Sequence, residues 1–163
     1  EFFSYGCPHC NDFHKPLDAW VAKLPADVAF KRVPAGWNAA WANLAKLYYA
    51  LEVTGDVARL DSAIFAAIHE QGVRMPVPDD MQAWVEKQGV DGRKFADAYK
   101  SFSVASKVNR ANQMVQAYRI NGVPALAVDG RYLVSTEGVK NLGEVLTRAD
   151  AVVALARSDK ARK

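Results

Sequence analysis

The sequence predicts an α/β fold in which a mixed central sheet is flanked by helices and carries an inserted all-helical subdomain. Apolar residues at positions 2–6 precede a helical pattern and a strand-like segment at positions 28–33, an order that forms a right-handed parallel crossover. Later in the chain, Asp129-Gly130 between two short apolar runs predicts a hairpin of two antiparallel strands. The long stretch between these parts contains helical patterns and no strand signal.

The first helix is predicted from apolar residues that recur every three or four positions after Cys10, from Phe13 to Leu24. Pro16 interrupts this pattern. Because a proline inside a helix removes one main-chain hydrogen bond, we expect a kink that divides the helix into two segments. The second strand should follow the turn at Pro25.

Helical clusters fill the middle of the chain, separated by breaks at Gly55, residues 72–76 and Gly89. Asp79 and Ser103 are candidate N-cap residues for two of these helices. The last of the clusters is long, and it should return the chain to the sheet.

A closing amphipathic helix is predicted after a capping box formed by Asn141 and Glu144. With this helix the chain divides into a discontinuous sheet domain and a helical insertion subdomain. We expect the sheet domain to comprise residues 1–36 and 117–163, and the insertion to comprise residues 37–116.

Composition indicates a single compact protein. Half of the 163 residues are hydrophobic, enough for a substantial core, and no apolar run reaches the length of a transmembrane helix. The net charge of +3 arises from 21 basic and 18 acidic residues, with a basic tail at residues 157–163. Such a tail is usually solvated, and nothing in the charge pattern indicates nucleic-acid binding. Because the sequence begins inside a strand, we expect its start to be trimmed, with a signal peptide absent from it.

The only two cysteines of the chain, Cys7 and Cys10, lie where the first strand meets the first helix. Pro8 suits the first helical position, so Cys7 is predicted to be the N-cap residue. Free N–H groups and the helix dipole favour an anion there, and a thiolate at Cys7 is therefore stabilised. Cys10 lies one turn further along, and we expect Cys7 alone to be both exposed and acidified.

Three interpretations of the cysteine pair compete. A purely structural disulfide is possible, but it closes a very small loop and constrains the unfolded chain little. A zinc site would need two further ligands from histidines or carboxylates, and none of these has the spacing of a zinc finger. A redox-active dithiol is favoured, because the same motif near strand, helix and strand is typical of such sites.

The tetrapeptide Cys7-Pro8-His9-Cys10 follows a Glu-Phe-Phe-Ser strand, and Gly122-Val123-Pro124 occurs late in the chain, after the helical stretch. In this order the motifs resemble the DsbA-type thiol:disulfide oxidoreductases of bacteria, which have a thioredoxin fold with a helical insertion. The resemblance covers nearly the whole chain. It implies that Pro124 is a cis-proline facing the dithiol, with Gly122 and Val123 beside it at the substrate site.

The resemblance also implies an activity. The protein would donate the Cys7-Cys10 disulfide to unfolded or partly folded proteins with free thiols in the bacterial periplasm, and a quinone-linked membrane protein of the DsbB type would restore it. We expect a monomer that needs no cofactor and binds no nucleic acid. Two alternatives stay open: a disulfide reductase or isomerase of the same fold, and a non-catalytic module that binds peptides beside Pro124.

Two further residues near the dithiol are candidates for catalysis. His9, between the cysteines, is expected to stabilise the Cys7 thiolate by charge or hydrogen bonding. Glu1 occupies an apolar strand, where a buried carboxylate must be protonated, paired or wetted, unless it is simply exposed at the start of the chain. The resemblance implies that this glutamate lies beneath the dithiol with a basic partner and assists proton transfer. Alternation along the second strand favours Arg32 over Lys31 as the partner.

Three residues around the motif depart from this picture or stand outside it. The remaining histidines, His14 and His69, are expected to be solvated. Gly6 replaces the aromatic residue that many relatives place before the first cysteine, so the rim of the site is less apolar. Weaker docking of substrates at this rim is the expected consequence.

Overall fold

The computed structural model describes residues 1–161, and its first two strands form a parallel pair. Strand β1 (Phe2–Phe3) pairs with β2 (Val33–Pro34), and the first helix lies between them in sequence. The strand predicted for residues 28–33 is thus shorter and lies later than expected. Its pairing with β1 begins where the Lys31 carbonyl accepts a hydrogen bond of 2.8 Å from the Glu1 nitrogen. Earlier residues of the segment follow a turn and have no strand partner within the described chain.

A second pair of strands continues from the other side of β1. Phe2 exchanges two main-chain hydrogen bonds with Ala125, of 2.8 and 3.1 Å, and the chain then forms β3 (Ala127–Val128) and β4 (Tyr132–Leu133). These strands are antiparallel, and the turn at Asp129-Gly130 has φ values of 57° and 71°. Both residue types tolerate positive φ, so the predicted hairpin and the mixed sheet are confirmed.

Helix α1 (Pro8–Val21) begins directly after Cys7. Cys7 has extended dihedral angles, φ −92° and ψ 119°, and Pro8 occupies the first helical position, so the predicted N-cap is confirmed. The helix continues through Pro16 as one element, and the expected bend at the proline stays a prediction. Phe13 and Leu17, on either side of the proline, are buried in the same cluster.

Within the described residues, five helices lie between β2 and β3, all in the region where the sequence predicts helices. They are α2 (Ala39–Thr54), α3 (Val57–His69), α4 (Pro78–Lys87), α5 (Gly92–Lys100) and α6 (Phe102–Ala117). The closing helix α7 (Leu142–Ala161) follows β4, and at its start Asn141 Oδ1 accepts a hydrogen bond of 3.1 Å from the Glu144 nitrogen, the first half of the predicted capping box. The Glu144 carboxylate accepts from the nitrogen of Lys140, one residue before the predicted donor. None of the described helices is long and apolar enough to cross a membrane.

The caps of two insertion helices differ from the predicted ones. At α6 the Ser101 hydroxyl accepts a hydrogen bond of 3.1 Å from the Val104 nitrogen, so Ser101 is the N-cap and Ser103 lies inside the first turn. Asp79 likewise lies in the first turn of α4, where its negative charge is still favourable to the helix dipole. The two predictions were therefore wrong by two residues each, since the helices start earlier than the sequence signals suggested.

The hydrophobic core lies on both faces of the sheet. Phe3 and Tyr5 are buried with residues of the insertion helices, whereas Phe2 packs near α6 on the opposite face. A third cluster joins α1 to α7. The division into a sheet domain and an insertion at residues 37–116 stays a prediction. The last two residues of the predicted sheet domain, 162 and 163, which also end the basic tail, lie outside the described residues. Both cysteines belong to the first cluster, so the dithiol lies where sheet and insertion meet.

Candidate active site

Cys7 and Cys10 are free thiols one turn apart at the start of α1. Both are buried, with 5% of Cys7 and none of Cys10 exposed. Cys7 is thus less exposed than predicted, because the loop before β3 closes over it. The carbonyl of Val123 in that loop accepts a hydrogen bond of 3.5 Å from the Cys7 thiol. A reaction at Cys7 therefore takes place at a narrow opening and not on an open surface.

The two thiols have opposite acid strengths. The pKa of Cys7 is lowered from 9.0 to about 6, mainly by a hydrogen bond from the Cys10 thiol, against the opposing effect of burial. Main-chain N–H groups of Cys10 and His9 and the charge of His9 lower it further. The pKa of Cys10 is raised, first because its thiol donates to Cys7 and second because it is buried. At neutral pH the reduced site therefore holds a thiolate at Cys7 and a thiol at Cys10, and the hydrogen bond from Cys7 to the Val123 carbonyl forms only while Cys7 is protonated.

Pro8 and His9, the two residues between the cysteines, are exposed. Pro8 starts the helix without leaving a main-chain donor unpaired. His9 lines a groove of about 610 Å³ next to the dithiol, together with Phe13 of the same helix. The side chain of His9 therefore faces the space in which a substrate would approach.

The opposite wall of this groove is the loop that precedes β3. It contains Gly122, Val123 and Pro124, followed by residues 133–137 of the hairpin and its exit. The Val123-Pro124 peptide bond is cis, as the family resemblance implies. Gly122 is exposed and the next two residues are half-buried, so this wall offers both main-chain groups and apolar surface.

Glu1 lies in the interior and is paired with Arg32. Only 3% of the Glu1 side chain is exposed, and Arg32 Nε donates a hydrogen bond of 2.8 Å to Glu1 Oε2. Of the two basic residues considered as partners, Arg32 is therefore the one in contact. Burial raises the pKa of the Glu1 carboxyl, and the attraction of Arg32 only partly offsets this effect. Among the causes that raise the pKa of Cys10 is the charge of Glu1, so the carboxyl acts electrostatically on the inner cysteine.

Arg32 also contacts two aspartates that sequence reasoning did not single out. Its Nη1 donates to Asp61 Oδ2 from α3, and its Nη2 donates a hydrogen bond of 2.9 Å to Asp18 Oδ1 from α1. The second oxygen of Asp61 accepts a hydrogen bond of 2.5 Å from the Tyr5 hydroxyl. Since Tyr5 directly precedes the Gly6-Cys7 turn, this network reaches from the insertion to the active site.

His14 belongs to the same network, and its predicted exposure was wrong. The side chain is buried, its Nε2 lies 2.7 Å from Ser62 Oγ, and its Nδ1 lies 3.2 Å from Arg32 Nη2. Because Arg32 can only donate, Nδ1 must be the accepting nitrogen and Nε2 must carry the proton. Burial also lowers the pKa of His14, so the ring is neutral. The available signal was its place on the apolar face of α1, four residues after Cys10.

His69 is also half-buried, contrary to the predicted solvation. Its Nε2 lies 2.7 Å from the Tyr5 carbonyl oxygen, which can only accept, so this nitrogen carries the proton. Helix α3 thus holds Tyr5 at both ends, at the hydroxyl through Asp61 and at the carbonyl through His69. Asp61, Phe65 and His69 recur every four residues, and this spacing was the signal that could have placed them on one face.

Gly6 is explained by its neighbours. A Cβ atom at this position would lie 2.8 Å from Trp41 Nε1 and 3.1 Å from Leu44 Cδ1. Trp41 therefore supplies the aromatic surface that a side chain at position 6 would otherwise provide. Its ring stacks on the exposed ring of Trp37, with the ring centres 5.4 Å apart. Two tryptophans thus place apolar surface beside Gly6, and the weaker docking expected from the glycine stays a prediction.

Comparison with known proteins agrees with this geometry. The family model described as a DSBA-like thioredoxin domain matches residues 26–147. The chain belongs to this family. A thiol:disulfide interchange protein DsbA from Azotobacter vinelandii is 39% identical over 161 residues, which are 97% of this chain and 74% of that protein. The corresponding protein of Pseudomonas aeruginosa is 34% identical over 153 residues, 94% of this chain and 72% of that protein.

Solved structures of the family superimpose closely. The crystal structure of Pseudomonas aeruginosa DsbA has a TM-score of 0.92 at 34% identity, covering 100% of this chain and 84% of that one. The oxidoreductase DsbA from Xylella fastidiosa has a TM-score of 0.89 at 32% identity, covering 97% and 84%. The DsbA family, the thioredoxin-like fold with its helical insertion and the enzyme class, a thiol:disulfide oxidoreductase, are therefore confirmed.

Proposed function

We propose that this DsbA-family oxidoreductase acts as an oxidant, which donates the Cys7-Cys10 disulfide to unfolded or partly folded proteins in the bacterial periplasm. The observation that carries the direction is the acidity of Cys7, whose pKa is lowered to about 6. A stabilised thiolate favours the reduced form of the protein, and a protein that is stable when reduced gives up its disulfide readily. Bacterial relatives named thiol:disulfide interchange proteins support the assignment.

The exchange proceeds through a mixed disulfide. A substrate thiolate attacks the Cys7 sulfur of the oxidised protein, the bond between Cys7 and Cys10 breaks, and Cys10 leaves with the electron pair. A second substrate thiolate then attacks the substrate sulfur bound to Cys7, and Cys7 leaves as a thiolate. Two electrons pass from the substrate dithiol to the protein, and the low pKa of Cys7 makes it the better leaving group.

Glu1 assists the reaction at the sulfur of Cys10, and His9 assists it at the sulfur of Cys7. Glu1 gives its proton to Cys10 as the disulfide opens, and water restores that proton afterwards. Burial raises the pKa of Glu1, which favours a carboxyl that carries a proton, and once Glu1 has given up that proton its negative charge raises the pKa of Cys10 and keeps the proton there. His9 stabilises the thiolate at Cys7 through its main-chain N–H and, when protonated, through its charge. Pro8 keeps the helix start rigid between the two sulfurs.

Substrates bind in the groove of about 610 Å³ beside the dithiol. Val123 and Gly122 present main-chain groups to an extended peptide, and Pro124 presents an apolar face near Cys7. An unfolded segment fits such a groove better than a folded surface, because an extended chain can insert both its main chain and one cysteine. A membrane partner of the DsbB type, linked to quinone, accepts the two electrons from the reduced dithiol and uses the same groove.

Oxidation of a reduced two-cysteine peptide tests the direction of the reaction. The oxidised protein should convert the peptide to its disulfide form, and Cys7→Ser should abolish turnover. Given the oxidised peptide instead, Cys10→Ala should accumulate a mixed disulfide, because its Cys7 thiolate attacks the peptide disulfide and no second thiol releases it. Faster reduction of an oxidised peptide than oxidation of a reduced one would instead support a reductase or isomerase. If the Cys7→Ser variant binds the peptide as well as the unaltered protein does, and neither of them oxidises it, the protein is a non-catalytic module.

A further inference from the structure

The cluster below the dithiol contains more acid than base. Arg32 is its single guanidinium, and it contacts the carboxyl groups of Glu1, Asp61 and Asp18. Glu1 and Asp61 are buried, with 3% and 9% of their side chains exposed, whereas 53% of Asp18 is exposed. A single guanidinium cannot stabilise two buried carboxylates as well as it stabilises one. The second cation beside the Glu1 carboxyl is the α-ammonium group of Glu1, and burial lowers its pKa to about 6, so it is mostly uncharged at neutral pH. The structure must therefore favour one of the two as the ionised group.

The hydrogen bonds favour Asp61 as that group. Both of its oxygens accept, one from Arg32 and one from the Tyr5 hydroxyl. Burial raises the pKa of Tyr5, so the phenol keeps its proton and donates it to this hydrogen bond. Among the described residues, the Glu1 carboxyl accepts a hydrogen bond from Arg32 alone. A carboxyl with one donor and less exposure holds its proton more firmly than one with two donors.

We propose that Asp61, on the insertion helix α3, is a positioning residue that keeps Glu1 protonated by neutralising Arg32. The inference rests on the proposed function, in which Glu1 protonates Cys10 as the disulfide opens. Without Asp61 the full charge of Arg32 would act on Glu1, and Glu1 would lose its proton before the reaction begins. The insertion thereby regulates the inner cysteine, although it contributes neither of the two sulfurs.

The other groups around this cluster do not replace Asp61. Asp18 contacts the same guanidinium, but more than half of its side chain is exposed, so water screens its carboxylate. His14 is neutral and accepts from Arg32, so it adds no charge. Lys15 neighbours His14 on α1 and lowers its pKa further, which keeps the ring neutral.

The order of proton loss in the reduced, unaltered protein is the first test. Carbon NMR of the side-chain carboxyl groups, followed over pH, should show Asp61 ionising at a lower pH than Glu1. The reverse order would overturn the proposal. This measurement needs no substitution, so it decides the question even if a variant fails to fold.

Matched variants provide the second test. Asp61→Asn keeps the shape of the side chain and should lower the pH at which half of Glu1 is ionised by about one unit. Asp18→Asn removes a carboxylate that contacts the same guanidinium and should change this pH by less than about half a unit. Asp61→Glu keeps the carboxylate and should leave the pH near its original value. A Glu1 midpoint unchanged in Asp61→Asn would refute the proposed role.

The pH profile of disulfide opening separates this role from a purely structural one. The rate at which dithiothreitol reduces the protein, divided by the concentration of the dithiothreitol thiolate, should fall as pH rises through the midpoint of Glu1 ionisation. In Asp61→Asn this fall should occur at a pH about one unit lower. Equal profiles in the two proteins would contradict the proposal. Failure of the unaltered protein to oxidise the test peptide would instead refute the proposed function, and the order of ionisation would remain as measured.

Discussion

At the scale of single residues, the chemistry depends on how one thiol affects the other. Cys7 is acidic mainly because Cys10 donates a hydrogen bond to it, and Cys10 is a weak acid for the same reason. The helix start contributes through the N–H groups of Cys10 and His9, and the charge of His9 contributes last. From the sequence motif, His9 is the expected stabiliser of the thiolate, whereas in the structure Cys10 lowers the pKa of Cys7 more than His9 does.

The first prediction concerns this order of causes. Cys10→Ala removes the main hydrogen bond and should raise the pKa of Cys7 by roughly one to two units, each worth about 1.4 kcal/mol. His9→Leu should raise it by less, because the main-chain N–H at position 9 remains. Thiolate absorbance followed over pH in the reduced variants gives both values, and Lys23→Gln, in the turn two residues after the end of α1, is the control. A larger shift in His9→Leu than in Cys10→Ala would reverse the assignment.

At the scale of elements, α2 and α3 support the turn that carries Cys7. Helix α2 brings Trp41 against Gly6, and α3 holds the hydroxyl and the carbonyl of Tyr5. The turn itself is closed by a hydrogen bond of 3.1 Å from the Cys7 nitrogen to the Ser4 carbonyl. Insertion helices therefore shape the active-site turn, although the cysteines belong to α1 and its cap.

A second prediction follows from the contact at Gly6. Gly6→Ala would place a methyl group 2.8 Å from Trp41 Nε1, and the overpacking should lower the free energy of unfolding by ~1–3 kcal/mol. Trp41→Phe removes the clashing nitrogen, so adding it to Gly6→Ala should recover part of the loss. Gly122→Ala is the matched control: no atom lies within 4 Å of its Cβ position, and we expect a change within about 0.5 kcal/mol. Equal losses at both glycines, measured by denaturant unfolding, would exclude the contact as the cause.

At the scale of the whole molecule, the redox state and the stability of the fold are linked. The pKa of Cys7 is about 6 in the folded, reduced protein and 9.0 in its ordinary environment. A depressed pKa stabilises the reduced fold fully above the unfolded value, and this contribution is lost as pH falls through the folded value. At pH 7 it is at most about 1.4 kcal/mol, and less where water screens the sulfur. The disulfide constrains the unfolded chain by at most ~2 kcal/mol for so short a loop, so the thiolate offsets most of this constraint at pH 7 and all of it at higher pH.

The third prediction is the pH dependence of this balance. Between pH 5 and pH 8 the reduced form should gain up to roughly 2.5 kcal/mol relative to the oxidised form, because only Cys7 ionises in that range. Above pH 9 the gain from Cys7 should stop, because Cys7 then ionises in the unfolded chain as well. The difference should fall again there, since Cys10 ionises in the unfolded chain but its raised pKa prevents this in the fold. Denaturant unfolding of both redox forms, across pH, measures the difference directly. A constant difference over this range would mean that Cys7 is not acidified, and it would favour a reductase over an oxidant.

The sequence determined those features of this protein that depend on neighbours along the chain. The N-cap at Cys7, the proline at the first helical position and the hairpin at Asp129-Gly130 each follow from residues within one turn of one another. The dithiol could therefore be located, and its chemistry inferred, before any tertiary contact was known. Helices throughout the insertion were also predictable, because their apolar periodicity is local.

Tertiary structure decided what depends on residues far apart in sequence. Asp61 meets Arg32 and Tyr5 across 29 and 56 residues, and His69 meets the Tyr5 carbonyl across 64 residues. No local spacing specifies such contacts, so two histidines were wrongly expected to be solvated and Asp61 was missed. The start of β2 was misplaced for the same reason, because strand pairing depends on the register with β1 and not on the apolar run itself. Burial and charge compensation are set only when distant segments pack together, and these determine how the dithiol is tuned.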